Sequence, residues 1–490
     1  MPKFEIKHRK TGAVIFEGKA GSLKELVQSA VISGTDASLS QLVVTRLRLK
    51  KAAKVRFYGA NLRGADLSEI DLTGADFSGA DLSECNLAGS CLKKAILARS
   101  NLAKADLTRT ALSEADFSEA DVSRSDFRKA QIDTANFTDA VLSGADLSGI
   151  RLTKANLARA NLSGAKLTSS DLSKAQLNGN NFTKADLSWA ILSKAKIERA
   201  NLAGANLERA DLSEAKLAGS NLSQANLSEA NLQGADLSGA ALDNAVLTDA
   251  ILSGSNLTKA SLTGAKLHGA KLARSDGRAS DMTRADLKAV DLEGANFSGA
   301  CLNEAHMSEA GMVGINLTNS QLSKAVMTKA TLSKASLAGA IMEEADLRSA
   351  TLEEADLSGA KLAGADMTEA NLQRSKLVNT DLRGANLTGA TVADADMRRA
   401  NAAGANFSGA NLQNSCLDEA DLSKSNLAGA NFSGVKMTGT SLVRADLSGT
   451  DFSWAFINAA DFSGVRIAKT NMKGAKLTEV KGIKFKKRPA

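Results

Sequence analysis

Residues 61–80 read NLRGA DLSEI DLTGA DFSGA, and residues 221–240 read NLSQA NLSEA NLQGA DLSGA. From about residue 57 the chain repeats every five residues, and the phase does not slip over the next 420 or so. Positions whose number ends in 2 or 7 carry a large apolar residue. From Phe57 to Leu477 there are 85 such positions, and all but Gly277 and Ala402 are Leu, Phe, Met, Ile or Val. Numbers ending in 5 or 0 are small, usually Ala, and those ending in 1 or 6 are most often Asp or Asn. A period of five fits neither a helix at 3.6 residues per turn nor a flat strand at 2. It fits a chain that turns a corner every five residues. The large residue and the small one two before it then point inward, and the other three face water. Asp, Asn, Ser and Gly suit the corners because they tolerate turn geometry and bond their own backbone. Four such sides close a square coil.

This pattern resembles the pentapeptide-repeat family, whose consensus is similar to A-(D/N)-L-x-x. The likeness covers about 86% of the chain, and 83 of 85 centre positions obey it. The resemblance implies an all-β fold, a right-handed quadrilateral parallel β-helix with Leu or Phe stacked inside. At twenty residues per coil the repeat region makes about 21 coils. With strands about 4.8 Å apart, that is a rod of roughly 100 Å. Each coil meets only its neighbours, so stability adds along the stack. Phe57, Phe77, Phe117 and Phe137 share one column as a core ladder, with Leu97 filling the gap, and Phe432 and Phe452 are stacked neighbours. The nine Met residues from Met282 to Met472 all occupy centre positions and read as core fillers. Asn180, at an inward small position, must find a backbone partner, because an unpaired buried amide costs about 1–3 kcal/mol. Gly277 leaves a void unless the backbone closes in, or marks a bulge or bend.

Composition agrees with a repeat. Gly is 39, but Pro is only 2, Trp 2 and Tyr 1, where an ordinary chain carries roughly 5% Pro. The start, MPKFEIKHRKTG, has no apolar targeting core, and no long apolar run spans a membrane. Cys85, Cys91, Cys301 and Cys416 form no C-x-x-C pair, and His8, His268 and His306 are the only histidines. A structural zinc site is not expected, nor any other metal or cofactor, and the cytoplasm is the expected compartment.

The chain divides into three parts. Residues 1–56 read as a small α+β cap over an open solenoid end, 57–480 as the β-solenoid, and 481–490 as a basic tail that leaves the five-residue phase. In the cap, Phe4–Arg9 and Ala13–Glu17 read as two strands joined by Lys10-Thr11-Gly12. Ser22-Leu23-Lys24-Glu25 is a capping box opening a helix with Leu23, Leu26, Val27 and Val31 on one face, and Gly34 fits its stop. This lead-in resembles the N-terminal segment that precedes the repeats in bacterial and phage-associated members of the family. Arg46, Arg48, Lys50, Lys51, Lys54 and Arg56 follow with no acid between them, and the tail adds Lys481, Lys484, Lys486, Lys487 and Arg488. Three readings stand for these cations. They guard an exposed strand edge against pairing with other chains, they dock on an acidic surface or nucleic acid, or they belong to an added or disordered tail.

Charge separates the roles that the resemblance implies. The best-known members are acidic rods that occupy the DNA site of type II topoisomerases, some protecting cells from quinolones. DNA carries one charge per roughly 1.7 Å of axis. The formal net charge here is +7. Residues 61–480 hold 44 basic and 50 acidic residues, a net −6, and the sides centred on Leu62, Leu67, Leu72 and Phe77 carry −1, −4, −1 and 0. No side is an acidic stripe. Single-strand nucleic-acid binding needs several exposed aromatics in a basic groove, and the outward Trp189 and Trp454 are far apart in sequence. Catalysis needs a concave pocket, which tight five-residue corners do not make. The reading is therefore a non-enzymatic structural or protein-interaction rod, a monomer serving as scaffold, spacer or docking surface for an unidentified protein. The alternative is a DNA-mimic inhibitor or protector of a type II topoisomerase or another DNA-binding protein. Small-angle scattering tests the shape: a rod of about 100 Å is expected, whereas a globular chain of this length would give a radius of gyration near 23 Å.

Overall fold

Each pentapeptide brings five backbone N–H groups that need acceptors, and their destinations define the architecture. A computed structural model of the chain describes residues 57–483, together with three strands nearer the N-terminus: Lys3–His8 (β1), Val14–Lys19 (β2) and Leu42–Val43 (β3). β1 pairs antiparallel with β2 and, along its other edge, with β3. The helix expected to start at Ser22 falls outside the described residues.

The chain forms two compact units, 1–245 and 246–490, and the same coil recurs in each. In the first unit, Leu62 N–H donates to Asp81 O (2.7 Å), Gly64 N–H to Ser83 O (2.9 Å), and Asp81 N–H back to Ala60 O (2.9 Å). A fourth N–H closes the corner, Ala65 to Leu62 O (3.0 Å). The fifth goes to a side chain, Ser68 N–H to Asp66 Oδ1 (3.2 Å). The second unit repeats the set at Leu257, Lys259, Asp276 and Ala260, with Thr258 N–H on Asn256 Oδ1 at 3.0 Å. Partners between coils are twenty residues apart, parallel and in register, as in Asn61↔Asp81 and Asp276↔Asn296. Four pentapeptides therefore make one coil of a right-handed, four-sided β-helix.

The pattern explains each class of residue. Asp or Asn before the centre is there because its Oδ1 takes the one N–H that neither the ladder nor the corner uses. Asn adds a bond along the stack: Asn181 Nδ2 donates to Asn161 Oδ1 (3.0 Å) and Asn226 Nδ2 to Asn206 Oδ1 (3.1 Å). The residue two after the centre lies in the left-handed region, with φ of 56° at Glu229 and 62° at Gly239. That conformation costs a side-chain-bearing residue about 1–2 kcal/mol, which is why Gly is frequent there.

Inside, the aromatic ladder is as expected. Phe57 stacks on Phe77 (4.9 Å between centroids, 7° between planes) and Phe117 on Phe137 (4.8 Å, 9°). Phe127 closes edge-on against the latter pair at 6.2 and 5.9 Å. In the second unit Phe432 lies 5.2 Å from Phe452. Met282 to Met437 are buried at their centre positions, while Met472, in the last described coil, is half-buried. Asn180 finds its backbone partner, donating from Nδ2 to Leu157 O at 2.8 Å, and its Oδ1 is buried without one.

Gly277 departs from expectation. It makes neither a void nor a bulge: a Cβ built there would lie 2.1 Å from the ring of Phe297, one coil on. The ring fills the missing side chain's volume, and Gly277 N–H keeps its ladder bond to Asn296 O at 2.7 Å. The ladder also runs into the tail, since Lys481 still pairs with Asp461. The pair at 277 and 297 predicts a compensating exchange. Gly277→Leu alone should destabilise by about 1–3 kcal/mol through overpacking. Phe297→Ala alone should cost about 3–5 kcal/mol through the cavity it opens. Gly277→Leu with Phe297→Leu should recover most of either loss, as read by calorimetric or denaturant unfolding of the full chain.

A candidate interaction surface

With the backbone bonded to itself, the coil offers partners only side chains, in fixed columns. Opposite charges on these columns meet along the stack. Arg99 reaches Glu119 (3.0 Å), Arg209 reaches Glu229 (2.8 Å), Arg284 reaches Glu304 (2.9 Å) and Arg399 reaches Glu419 (2.8 Å), each pair twenty residues apart. A second set closes across one corner: Arg278–Asp276 (2.7 Å), Arg383–Asp381 (2.7 Å) and Arg398–Asp396 (2.6 Å). In these the carboxylate also accepts its own corner N–H. The side-chain bond from the guanidinium holds Asp276, Asp381 and Asp396 below the ordinary carboxylate range. Within these pairs the charge is balanced locally.

Of the basic residues that the sequence singles out, Arg46, Arg48, Lys50, Lys51, Lys54, Arg56, Lys484, Lys486, Lys487 and Arg488 lie outside the described residues. Lys481 is described and exposed. Cys85 donates to Leu62 O at 2.7 Å, and burial pushes its thiol up to about 12, so it is unreactive near neutral pH. His306 Nε2 lies 3.0 Å from Ser308 Oγ, while Asp286 is 3.9 Å from its other nitrogen. The second distance is too long for a hydrogen bond, and the group stands on an outer face. Among the described residues no cluster of three or more His, Cys, Asp or Glu is placed to hold a metal. No helix there is long and apolar enough to cross a membrane.

Sequence reasoning missed one feature. On one side of the second unit three corners open into short strands, Lys436–Thr438 (β4), Phe456–Asn458 (β5) and Lys476–Thr478 (β6). They pair in parallel over three residues, Lys436↔Phe456↔Lys476 through Thr438↔Asn458↔Thr478. The flattened face holds a groove of about 400 Å³. Lys436, Phe456 and Lys476 form one wall, and Thr438, Asn458 and Thr478 the other, with Asp418 at its head. Phe456 is 50% exposed, and Lys476 Nζ lies 5.1 Å from its ring centroid. Trp454 is 64% exposed, and its ring lies so close over Gly474 that a Cβ there would meet it at 2.6 Å. Trp189, in the first unit, is also exposed, with the Arg209 guanidinium 4.9 Å from its ring centroid. The available signal was Phe456 itself, a large aromatic in a place where the repeat puts Asp or Asn.

A family model described as "Pentapeptide repeats (8 copies)" matches in successive segments, among them 56–93, 205–243 and 445–481, that together cover nearly all of 56–481. Among solved structures, HetL from the cyanobacterium Nostoc, a pentapeptide repeat protein involved in heterocyst differentiation regulation, is 30% identical. The match covers 43% of this chain and 86% of HetL, with a TM-score of 0.29. QnrB1, a plasmid-mediated fluoroquinolone resistance protein, is 19% identical over 37% of this chain and 92% of its own, with a TM-score of 0.26. Rfr23 from the cyanobacterium Cyanothece is 25% identical over 24% of this chain and 63% of its own, with a TM-score of 0.15. No curated protein matches.

The corner pairs predict a pH dependence. A carboxylate whose folded pKa is depressed contributes stability above its unfolded pKa and loses it as pH falls through the folded value. The unfolded chain takes up these protons first. The melting temperature should therefore be flat from neutral pH to about 5 and fall below roughly pH 4, where free carboxylates protonate. Arg383→Gln with Arg398→Gln should shrink that fall.

Proposed function

The chain belongs to the pentapeptide-repeat family, and on that premise we propose that it is a non-enzymatic protein-interaction scaffold, a cytoplasmic monomer that holds partner proteins on the outer faces of its coils. One observation carries the reading. Each corner spends its backbone hydrogen bonds within and between coils, which leaves three outward side chains per pentapeptide in straight columns, an array suited to an extended partner. The four free cysteines agree with a reducing compartment. The pairing of Arg and Lys with Glu and Asp along the columns argues against DNA mimicry, which needs an unbroken run of negative charge.

Within this reading the two basic ends are contacts for an acidic partner. Replacing Arg46, Arg48, Lys50, Lys51, Lys54 and Arg56 with Gln should weaken partner binding and flatten its salt dependence, with little change in circular dichroism. Aggregation of that variant with binding intact would assign the charges to edge protection instead. In a supercoiling assay, DNA gyrase should keep its activity with stoichiometric protein present. Inhibition at that level would replace the scaffold reading with the mimic.

A further inference from the structure

We infer that the groove between β4, β5 and β6 is a docking site for an acidic, extended protein segment, with Phe456 as its apolar anchor; the inference rests on the scaffold reading above. The groove exists because three successive corners on one side are opened into strands, pairing over three residues where the other corners pair over one. Its long wall is a vertical run of Lys436, Phe456 and Lys476, so a cation stands one coil above and one coil below an exposed ring. Neither lysine forms an ion pair among the described residues, whereas Arg399 and Arg398 nearby are paired with Glu419 and Asp396.

The charge of the lining sets what the groove favours. Asp418 lies at its head, where its Oδ1 takes Thr438 N–H at 2.7 Å and its Oδ2 takes the Cys416 thiol at 3.3 Å. Those neutral donors leave the carboxylate its charge, so the lining sets two cations against one anion and is net positive. An entering carboxylate would meet Lys436 or Lys476, an apolar side chain would cover the half-exposed Phe456 ring, and Asn458 would offer hydrogen bonds from the far wall. A buried aromatic with charges at its rim is the usual make-up of a binding hot spot. A single half-exposed ring is less suited to stacking successive nucleic-acid bases. Phe456 and Trp454 also make no ring contact that would build a platform of several stacked bases.

Fluorescence anisotropy of the full-length protein with a fluorescein-labelled peptide alternating Asp and Leu tests this. Saturable binding is expected, weaker as salt is raised. Phe456→Ala, and Lys436→Gln with Lys476→Gln, should each weaken it about tenfold or more, while Lys361→Gln, an exposed lysine on another side of the same unit, should leave it unchanged. The same peptide with Lys in place of Asp should not bind. Absence of binding, or binding that all three variants leave intact, overturns the inference. So does tighter binding of an oligothymidine that depends on the same residues, which would make the groove a nucleic-acid site. If Gln at the six basic residues Arg46 to Arg56 weakens partner binding but the groove variants do not, the groove fails and the scaffold reading stands.

Discussion

The whole coil depends on a parallel ladder in a twenty-residue register, and one N–H in five stands outside both it and the corner turns, that of the residue after each centre. The ladder uses three N–H groups of every five and the corner a fourth, so this one faces outward with no backbone acceptor. A carboxylate or amide oxygen two residues earlier satisfies it, as at Ser68 with Asp66 and Thr258 with Asn256. Corners with another residue at that place, such as Ile191 and Lys216, keep the same turn and the same register. The core ladder, the columns of charge and the flatness of each face therefore follow from the twenty-residue ladder, and the side-chain bond completes it where Asp or Asn is present.

Period and polarity made most of this legible in advance. A five-residue repeat allows few geometries, and the alternation of Leu with Ala says which two positions face in. Phe57 over Phe77 and Phe117 over Phe137 could be placed by counting alone. The contents of the Gly277 site could not. The repeat says that residue 277 points inward, but not that the larger ring at Phe297 reaches across to fill the space, because volume is shared between coils and the pattern is read within one. The groove was hidden for a similar reason. Whether a corner is tight or opened into a strand depends on the conformation of Lys436, Phe456 and Lys476 together, and their spacing in sequence is the same as everywhere else.

The charge pairs shape the surface more than they add to stability. Individually, exposed ion pairs of this kind contribute little. Their arrangement matters more, because pairs such as Arg99–Glu119 and Arg399–Glu419 set opposite charges side by side along a column. On the scaffold reading proposed above, recognition would fall to local features that break the pattern, the groove around Phe456 among them.

The twenty-residue register also constrains how such a gene can change length. A duplication or loss of one pentapeptide would preserve every centre and every corner, so the fold would survive. It would, however, turn all later residues by one side, so that the new seam would set Arg399 beside a residue other than Glu419 if it fell between them. A duplication of a whole coil leaves every column aligned. Ion pairs and amide ladders that persist along a column, such as Asn386, Asn406 and Asn426, are therefore contacts that growth by complete coils would carry over intact, in side chains that the core itself does not require.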